Sequence, residues 1–265
     1  MFKANGIITF TTDFGLRDPY AGIMKGIALG INPNVKIVDI THDIPAHDIL
    51  NASFTLAASY KFFPEGTIHT AIVDPGVGSS RKSIAIITEN YVFIGPDNGI
   101  FSIIANKEKV CEIREIQNPP FVSDTISSTF HGRDIFAPCA AYLSTGRYFT
   151  DIGPVIKNIS KINYPRTSKT TTVLTGEIVA VDSFGNLVSN ISEKNFKAFV
   201  ANNKFEIYFS SERFTKIENH YDDVPVGAPL ILFGSSGYLE ISMNSGSAHS
   251  YFMVPIGTTV SVRRS

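Results

Sequence analysis

GIITFTTDFGLRDPYAGIMKGIALGINPNVKIVDI, residues 6–40, decides the fold. Gly6–Thr12 is a short apolar strand, ending at the turn residues of TTDFG. Tyr20–Ile31 follows as a helix, with Ile23, Ile27 and Ile31 four apart on one expected core face. Val35–Ile40 is the next strand. Further on, Ile49–Tyr60 offers Leu50, Phe54, Ala57 and Ala58 at helical spacing, opened by Asp48 as N-cap. Ile68–Val73, Ser83–Thr88 and Tyr91–Ile94 are β-rich runs, and Asp134–Leu143 closes the region as a helix. Strands separated by helices predict an α/β domain over residues 1–150, a central sheet flanked by helices.

The second half changes character. Thr170–Ser192, Lys204–Ser210, Pro229–Ser242 and Gly257–Arg264 read as strands, with little amphipathic helix among them. Phe205, Ile207 and Phe209 alternate with polar neighbours, the period of a half-buried strand. An all-β domain is therefore expected over 170–265. Residues 151–169, with Pro154, Pro165 and no periodicity, form the expected connection.

Composition narrows the function. Hydrophobic residues make up 43% of the chain and charged residues 18%, against about 25% charged in an average soluble protein. Such a chain has the apolar surface to offset ordering entropy, which excludes intrinsic disorder. With 23 Lys+Arg against 24 Asp+Glu the net charge is −1, so nucleic acid is not an expected partner. The start has only the short run Ile7 to Phe10, and Lys25 and the prolines interrupt the longer candidates. A signal peptide needs about 7–15 apolar residues and a membrane helix about 20, so neither is expected. Cys111 and Cys139 are not a CxxC pair and read as buried thiols of a reducing cytoplasm.

Four segments, with a fifth close behind, could carry chemistry, because polar side chains sit beside glycine turns at strand ends, where α/β sheets bind ligands. In TTDFG, Asp13 could accept hydrogen bonds from the vicinal hydroxyls of a ribose; an Asx-turn or a helix cap would leave the same pattern. In VDPGVGSSR, residues 73–81, Asp74 and Arg81 could form a charge-assisted pair where glycines admit a ligand, or a surface pair at a hairpin corner. It lacks the Lys-Ser/Thr ending of a Walker loop. In FHGRD, His131, Arg133 and Asp134 occupy a loop leading into a helix, with Asp134 a possible cap. In VDSFGNLVSN, residues 181–190, Asp182, Phe184 and Asn186 line a tight turn. An aromatic face beside an amide suits a purine, and a plain β-hairpin would use the same residues. In GSSGYLEISMN, Ser235, Tyr238 and Glu240 could hold the polar ends of an amino acid, or belong to an ordinary amphipathic strand. HDIPAHD offers His42, Asp43, His47 and Asp48, but the histidines are five apart with Pro45 between them, so no metal is expected.

In this order, TTDFG, HDIPAHD, FFPEGT, VDPGVG, PDNG, FHGRD, FGN and GYLEI resemble one family from about Ile7 to Val262. It is the S-adenosyl-L-methionine hydroxide adenosyltransferases, or adenosine-forming S-adenosylmethionine hydrolases, with the fluorinase and chlorinase as halide-using relatives. The resemblance implies an N-terminal α/β domain, a C-terminal β-barrel, no cofactor, and hydrolysis of S-adenosylmethionine to adenosine and methionine. It implies a homotrimer whose active sites lie between the N-domain of one subunit and the C-domain of the next. By the same resemblance Asp13 binds the ribose, and Asp74, Arg81 and His131 surround the attacking water. Phe184 and Asn186 would contact adenine, Asp182 the methionine end, Ser235 and Glu240 the methionine carboxylate and amine, and the backbone of Met243 the adenine. Against the halide users, an aromatic stands where this chain has Asp74. The fluorinase has a hydroxyl residue for Gly132, threonine for Val77 and tryptophan for His47.

Overall fold

A computed structural model describes residues 2–264, which fall into two compact units meeting at Asn163 and Tyr164. The first unit holds β1 (Ile7–Thr12), α1 (Tyr20–Ile31), β2 (Lys36–Thr41), α2 (Ile49–Ser59), β3 (Ile68–Ile72), β4 (Ser83–Thr88), β5 (Val92–Pro96), α3 (Ser102–Lys107), β6 (Val110–Glu115) and α4 (Ala137–Ser144). Its sheet runs β2-β1-β3-β5-β4-β6; β2, β1, β3 and β5 are parallel, and β4 runs antiparallel to both its neighbours, β5 and β6. Alternation divides the strands between two faces. Ile8, Phe10, Ile68 and Ile72 join Met24, Ala28, Phe136 and Ala140 in one core. His69 and Phe93 turn the other way and pack on Tyr60. The chain leaves β1 for β2 on one side and returns to β3 on the other, so β1 is a topological switch point. Thr12 pairs with Ile72 in register, which brings Asp13 and Asp74 out at the same sheet edge.

Helices α1, α2 and α4 lie close to where periodicity predicts, whereas the short α3 was not expected, and the buried faces differ from those expected. In α1 the buried residues are Ala21, Met24 and Ala28, and Ile23 is 38% exposed. The contact is with the alanine-rich α4, and small side chains allow helices to approach closely where isoleucine would hold them apart. In α2, Ala52, Ser53, Leu56 and Ala57 are buried, with Leu50, Phe54 and Ala58 at the margin. Asp48 does cap α2, accepting from Asn51 N at 2.9 Å. Cys111 is exposed, unlike the buried Cys139. The β4–β6 ladder steps from Thr88–Val110 to Ile87–Glu112, which leaves Cys111 as the extra residue of a bulge on an edge strand.

The second unit holds β7 (Ser168–Lys169), β8 (Val173–Val181), β9 (Leu187–Ser192), α5 (Glu193–Val200), β10 (Phe205–Phe209), β11 (Glu212–Phe214), β12 (Pro229–Phe233), β13 (Tyr238–Met243), α6 (Ala248–Phe252) and β14 (Thr259–Arg264). The antiparallel order is β11-β10-β14-β8-β9-β13-β12, with β7 on β8. The sheet curls into a nearly closed barrel around Leu174, Ile178, Leu187, Ile207, Ile241 and Val262. Glu218 N donates to Ile231 O at 2.8 Å, linking the segment after β11 to β12. The sequence reading missed α5, whose Phe196, Phe199 and Val200 are buried and whose Ser192 caps Asn195 N. Among the described residues, no helix is long and apolar enough to cross a membrane.

Candidate active site

A cavity of about 270 Å³ opens at the β1/β3 edge of the first unit, and Asp13, Asp74, His131 and Gly132 are among its lining residues. The Asp74–Arg81 pair is buried, with side chains 5% and 9% exposed, rather than a surface pair. Arg81 Nε donates to Asp74 Oδ1 at 2.9 Å and Nη2 to Oδ2 at 2.5 Å, the two-pronged geometry that planar guanidinium and carboxylate share. The second Nη2 hydrogen points to His131 Nδ1 at 2.6 Å, and Nη1 donates to Ser83 Oγ at 2.9 Å. Arginine only donates, so His131 Nδ1 is the acceptor and its neutral ring carries the proton on Nε2. Burial, followed by the positive charge of Arg81, lowers the His131 pKa and favours that neutral ring.

Local structure fixes these groups. Asn98 of PDNG donates through Nδ2 to Val73 O at 2.8 Å, holding the strand end just before Asp74. Gly78 has φ +77°, and a Cβ there would lie 2.1 Å from Ser128 O, so glycine lets the Asp74 loop meet the loop before His131. His131 stands at the head of a π-helical turn, Gly132–Phe136, that runs into α4, so FHGRD is helical rather than a loop. Asp134 does not cap it. Its carboxylate accepts from Ser127 N at 2.8 Å and pairs with Arg133. A Cβ at Gly132 would lie 2.9 Å from Met24 Sδ and 3.1 Å from Phe130 Cε2, so glycine lets the turn after His131 pack closely on α1. Phe14, Tyr20 and Phe130 form an edge-on cluster along the cavity, ring centroids 5.2–5.9 Å apart. Sequence reasoning missed Ser83, Tyr20 and Phe130, for which no local pattern stands out.

Asp13 Oδ2 accepts from His47 N at 3.0 Å. His42 turns inward to Thr12 and Asp39, away from any common centre with His47.

The second unit carries the remaining candidates in the β8–β9 turn, on β13 and in the β12–β13 turn. Asp182 Oδ1 accepts from Phe184 N (2.9 Å) and Asn186 N (2.8 Å), and Oδ2 from Asn186 Nδ2 (2.8 Å). The β8–β9 turn is therefore built on Asp182, with Gly185 at φ +83°. Asn186 is buried and Phe184 is 79% exposed. Glu240, buried on β13, has its pKa pushed up to about 7 by burial and by the charge of Asp182. A Cβ at Gly234 would overlap Glu240 Oε2, so that glycine makes room for the carboxylate. Ser235 is exposed in the β12–β13 turn, and Met243, at the end of β13, is buried.

The model described as SAM hydroxide adenosyltransferase N-terminal domain matches residues 8–153, and its C-terminal counterpart matches 176–261. The (R)-S-adenosyl-L-methionine hydrolase of Salinispora arenicola is 31% identical over 96% of this chain and 97% of its own. A fluorinase of an Actinoplanes species is 24% identical over 99% of both. The crystal structure of an uncharacterized conserved protein from Thermotoga maritima superposes with a TM-score of 0.90 at 33% identity, covering 97% of this chain and 100% of that one. With both domain models matched in order along one chain, the protein belongs to the SAM hydroxide adenosyltransferase family.

Proposed function

We propose that the protein hydrolyses S-adenosyl-L-methionine to adenosine and L-methionine by in-line attack of water on C5′. The observation that carries this reading is the pair Asp74 and His131, bridged by the Arg81 guanidinium and lining one cavity with Asp13. The leaving group is a neutral thioether, so no acid is needed to expel it. The difficulty lies with the nucleophile, and holding one water in line recovers most of its entropic cost. As the C5′–O bond forms, the C5′–S electron pair returns to sulfur and the positive charge passes to the attacking oxygen. That oxygen is then strongly acidic, so a weak base suffices. Asp74 keeps lone pairs beyond those used by Arg81 and takes the proton, later releasing it to solvent. His131 presents Nε2–H and orients the oxygen rather than deprotonating it. Asp13 holds the ribose hydroxyls, Phe184 and Asn186 the adenine with the Met243 backbone, and Ser235, Glu240 and Asp182 the methionine end.

The hydrolase relative is named for the (R) sulfonium, and we infer the same epimer here. The Asp13 cavity is completed by the Phe184 turn of a neighbouring subunit in a homotrimer; the exposed ring of Phe184 supports this. A cyclic head-to-tail ring follows. The free thiols Cys111 and Cys139 fit a reducing cytoplasm. Each sulfonium epimer, incubated with the protein, EDTA and high chloride, should yield adenosine, fastest from the (R) form. 5′-Chloro-5′-deoxyadenosine as the main product would favour halide transfer, which the fluorinase likeness keeps as the second reading.

A further inference from the structure

HDIPAHD has the residue types of a metal site, but its first histidine turns instead to Thr12, at the end of β1 next to Asp13. The His42 ring is buried, with Nδ1 2.7 Å from Thr12 Oγ1. Thr12 Oγ1, itself fully buried, also accepts from Phe14 N at 3.2 Å. His42 Nε2 has no aligned hydrogen bond, but lies 3.1 Å from Asp39 Oδ1. Asp39 in turn takes Lys25 Nζ at 2.5 Å. Burial opposes charge on Asp39, yet the Lys25 hydrogen bond and the neighbouring His42 outweigh it and hold its carboxyl below the ordinary range.

Lone pairs then fix the direction of the chain. A bare Nε2 would face an anionic oxygen at 3.1 Å, so in the neutral ring Nε2 carries the proton and Nδ1 accepts from the Thr12 hydroxyl. The Thr12 oxygen is left as acceptor for Phe14 N–H. Every donor from Phe14 to Lys25 has one assignment. The same segment also holds the turn through its backbone. His42 O accepts from Gly15 N at 2.7 Å, Ile44 N donates to Thr12 O at 3.3 Å, and His47 N donates to Asp13 Oδ2. Asp13 sits between Thr12 and Phe14, the two residues that the Phe14 N–Thr12 Oγ1 hydrogen bond joins.

We propose that His42 is a positioning residue: through the Thr12 hydroxyl it fixes the turn that aims the Asp13 carboxylate at the substrate's ribose hydroxyls. This rests on the reading of Asp13 as the ribose ligand, and the test separates the two. Calorimetry on the full chain measures the preference for adenosine over 2′,3′-dideoxyadenosine. Glutamine keeps an amide near the Nε2 position but none at Nδ1, so His42→Gln should cut the preference by about three- to tenfold, the worth of one hydrogen bond. His42→Asn, with Oδ1 near the Nδ1 position, should restore most of it. For S-adenosylmethionine the His42→Gln KM should rise by more than kcat falls. Thr12→Val, which replaces only the hydroxyl, should reproduce the loss and carries the test if His42→Gln does not fold. Asp13→Ala is the reference. If Asp13→Ala lowers the preference and neither His42→Gln nor Thr12→Val does, positioning is refuted and the ribose reading stands. If Asp13→Ala leaves the preference intact, the ribose reading itself fails.

Discussion

The two acidic clusters of this protein handle charge in opposite ways. In the first unit Asp74 is buried against Arg81, which also reaches His131, so the cluster is complete before any ligand arrives. In the second, Asp182 and Glu240 repel each other, and neither has an ion-pair partner among the described residues. Asp182 gains three hydrogen bonds from its own turn, while Glu240 is left to hold a proton. A satisfied cluster is rigid and suited to chemistry. One without an ion-pair partner keeps the negative charge of Asp182 uncompensated, which fits the proposed binding of the methionine ammonium there.

The largest effect should come from breaking the satisfied cluster. Arg81→Ala strands a buried carboxylate and should cost about 3–5 kcal/mol of stability. Adding Asp74→Ala to it should recover much of that loss, since the double variant buries no unpaired charge. Chemical denaturation checks this, and additive losses would contradict it. In the folded variants, Asp74→Ala and His131→Ala should each lower kcat by about 10²-fold or more with little change in substrate affinity. Wild-type turnover in Asp74→Ala would remove it from the mechanism.

Next in size is the exposed aromatic of the second unit. Phe184→Ala should leave the melting temperature unchanged and raise KM about tenfold, the lower range of base–aromatic stacking. Loss of stability without loss of affinity would show that Phe184 packs within its own unit instead.

The smallest effect concerns Glu240. Its folded-state pKa, about 7, lies above the ordinary 4.5, so the folded protein binds this proton more tightly than the unfolded chain does. Its contribution to stability is full below about pH 4.5 and is lost as pH rises through about 7. Glu240→Gln should therefore melt higher than wild type at pH 8, and the gap should close by pH 5. A gap independent of pH would show that Glu240 is not strained by Asp182.

The same contrast explains what could be read from sequence. Element order was legible because period and turn residues are local, as in β1, α1 and the Asp48 cap of α2. The buried faces were not, because α1 is apolar nearly all round and its contact with the alanines of α4 depends on a partner more than a hundred residues away. Helix α5 escaped because its short amphipathic run lies among strands. Asp74, Arg81 and His131 were legible as residue types. Asp74 and Arg81, seven residues apart, were legible as a possible pair as well; the approach of His131 needed the loop contact at Gly78, which is not a local property. HDIPAHD was read for metal ligands, and the use of His42 as a support under Asp13 appears only once β1 and β2 are side by side.

The central claim, attack of water on C5′, is tested most directly by turnover in H₂¹⁸O. Adenosine isolated from S-adenosylmethionine should carry one ¹⁸O at its 5′-hydroxyl, with unlabelled methionine released beside it. Adenosine without label, or turnover that yields no adenosine, would contradict the account.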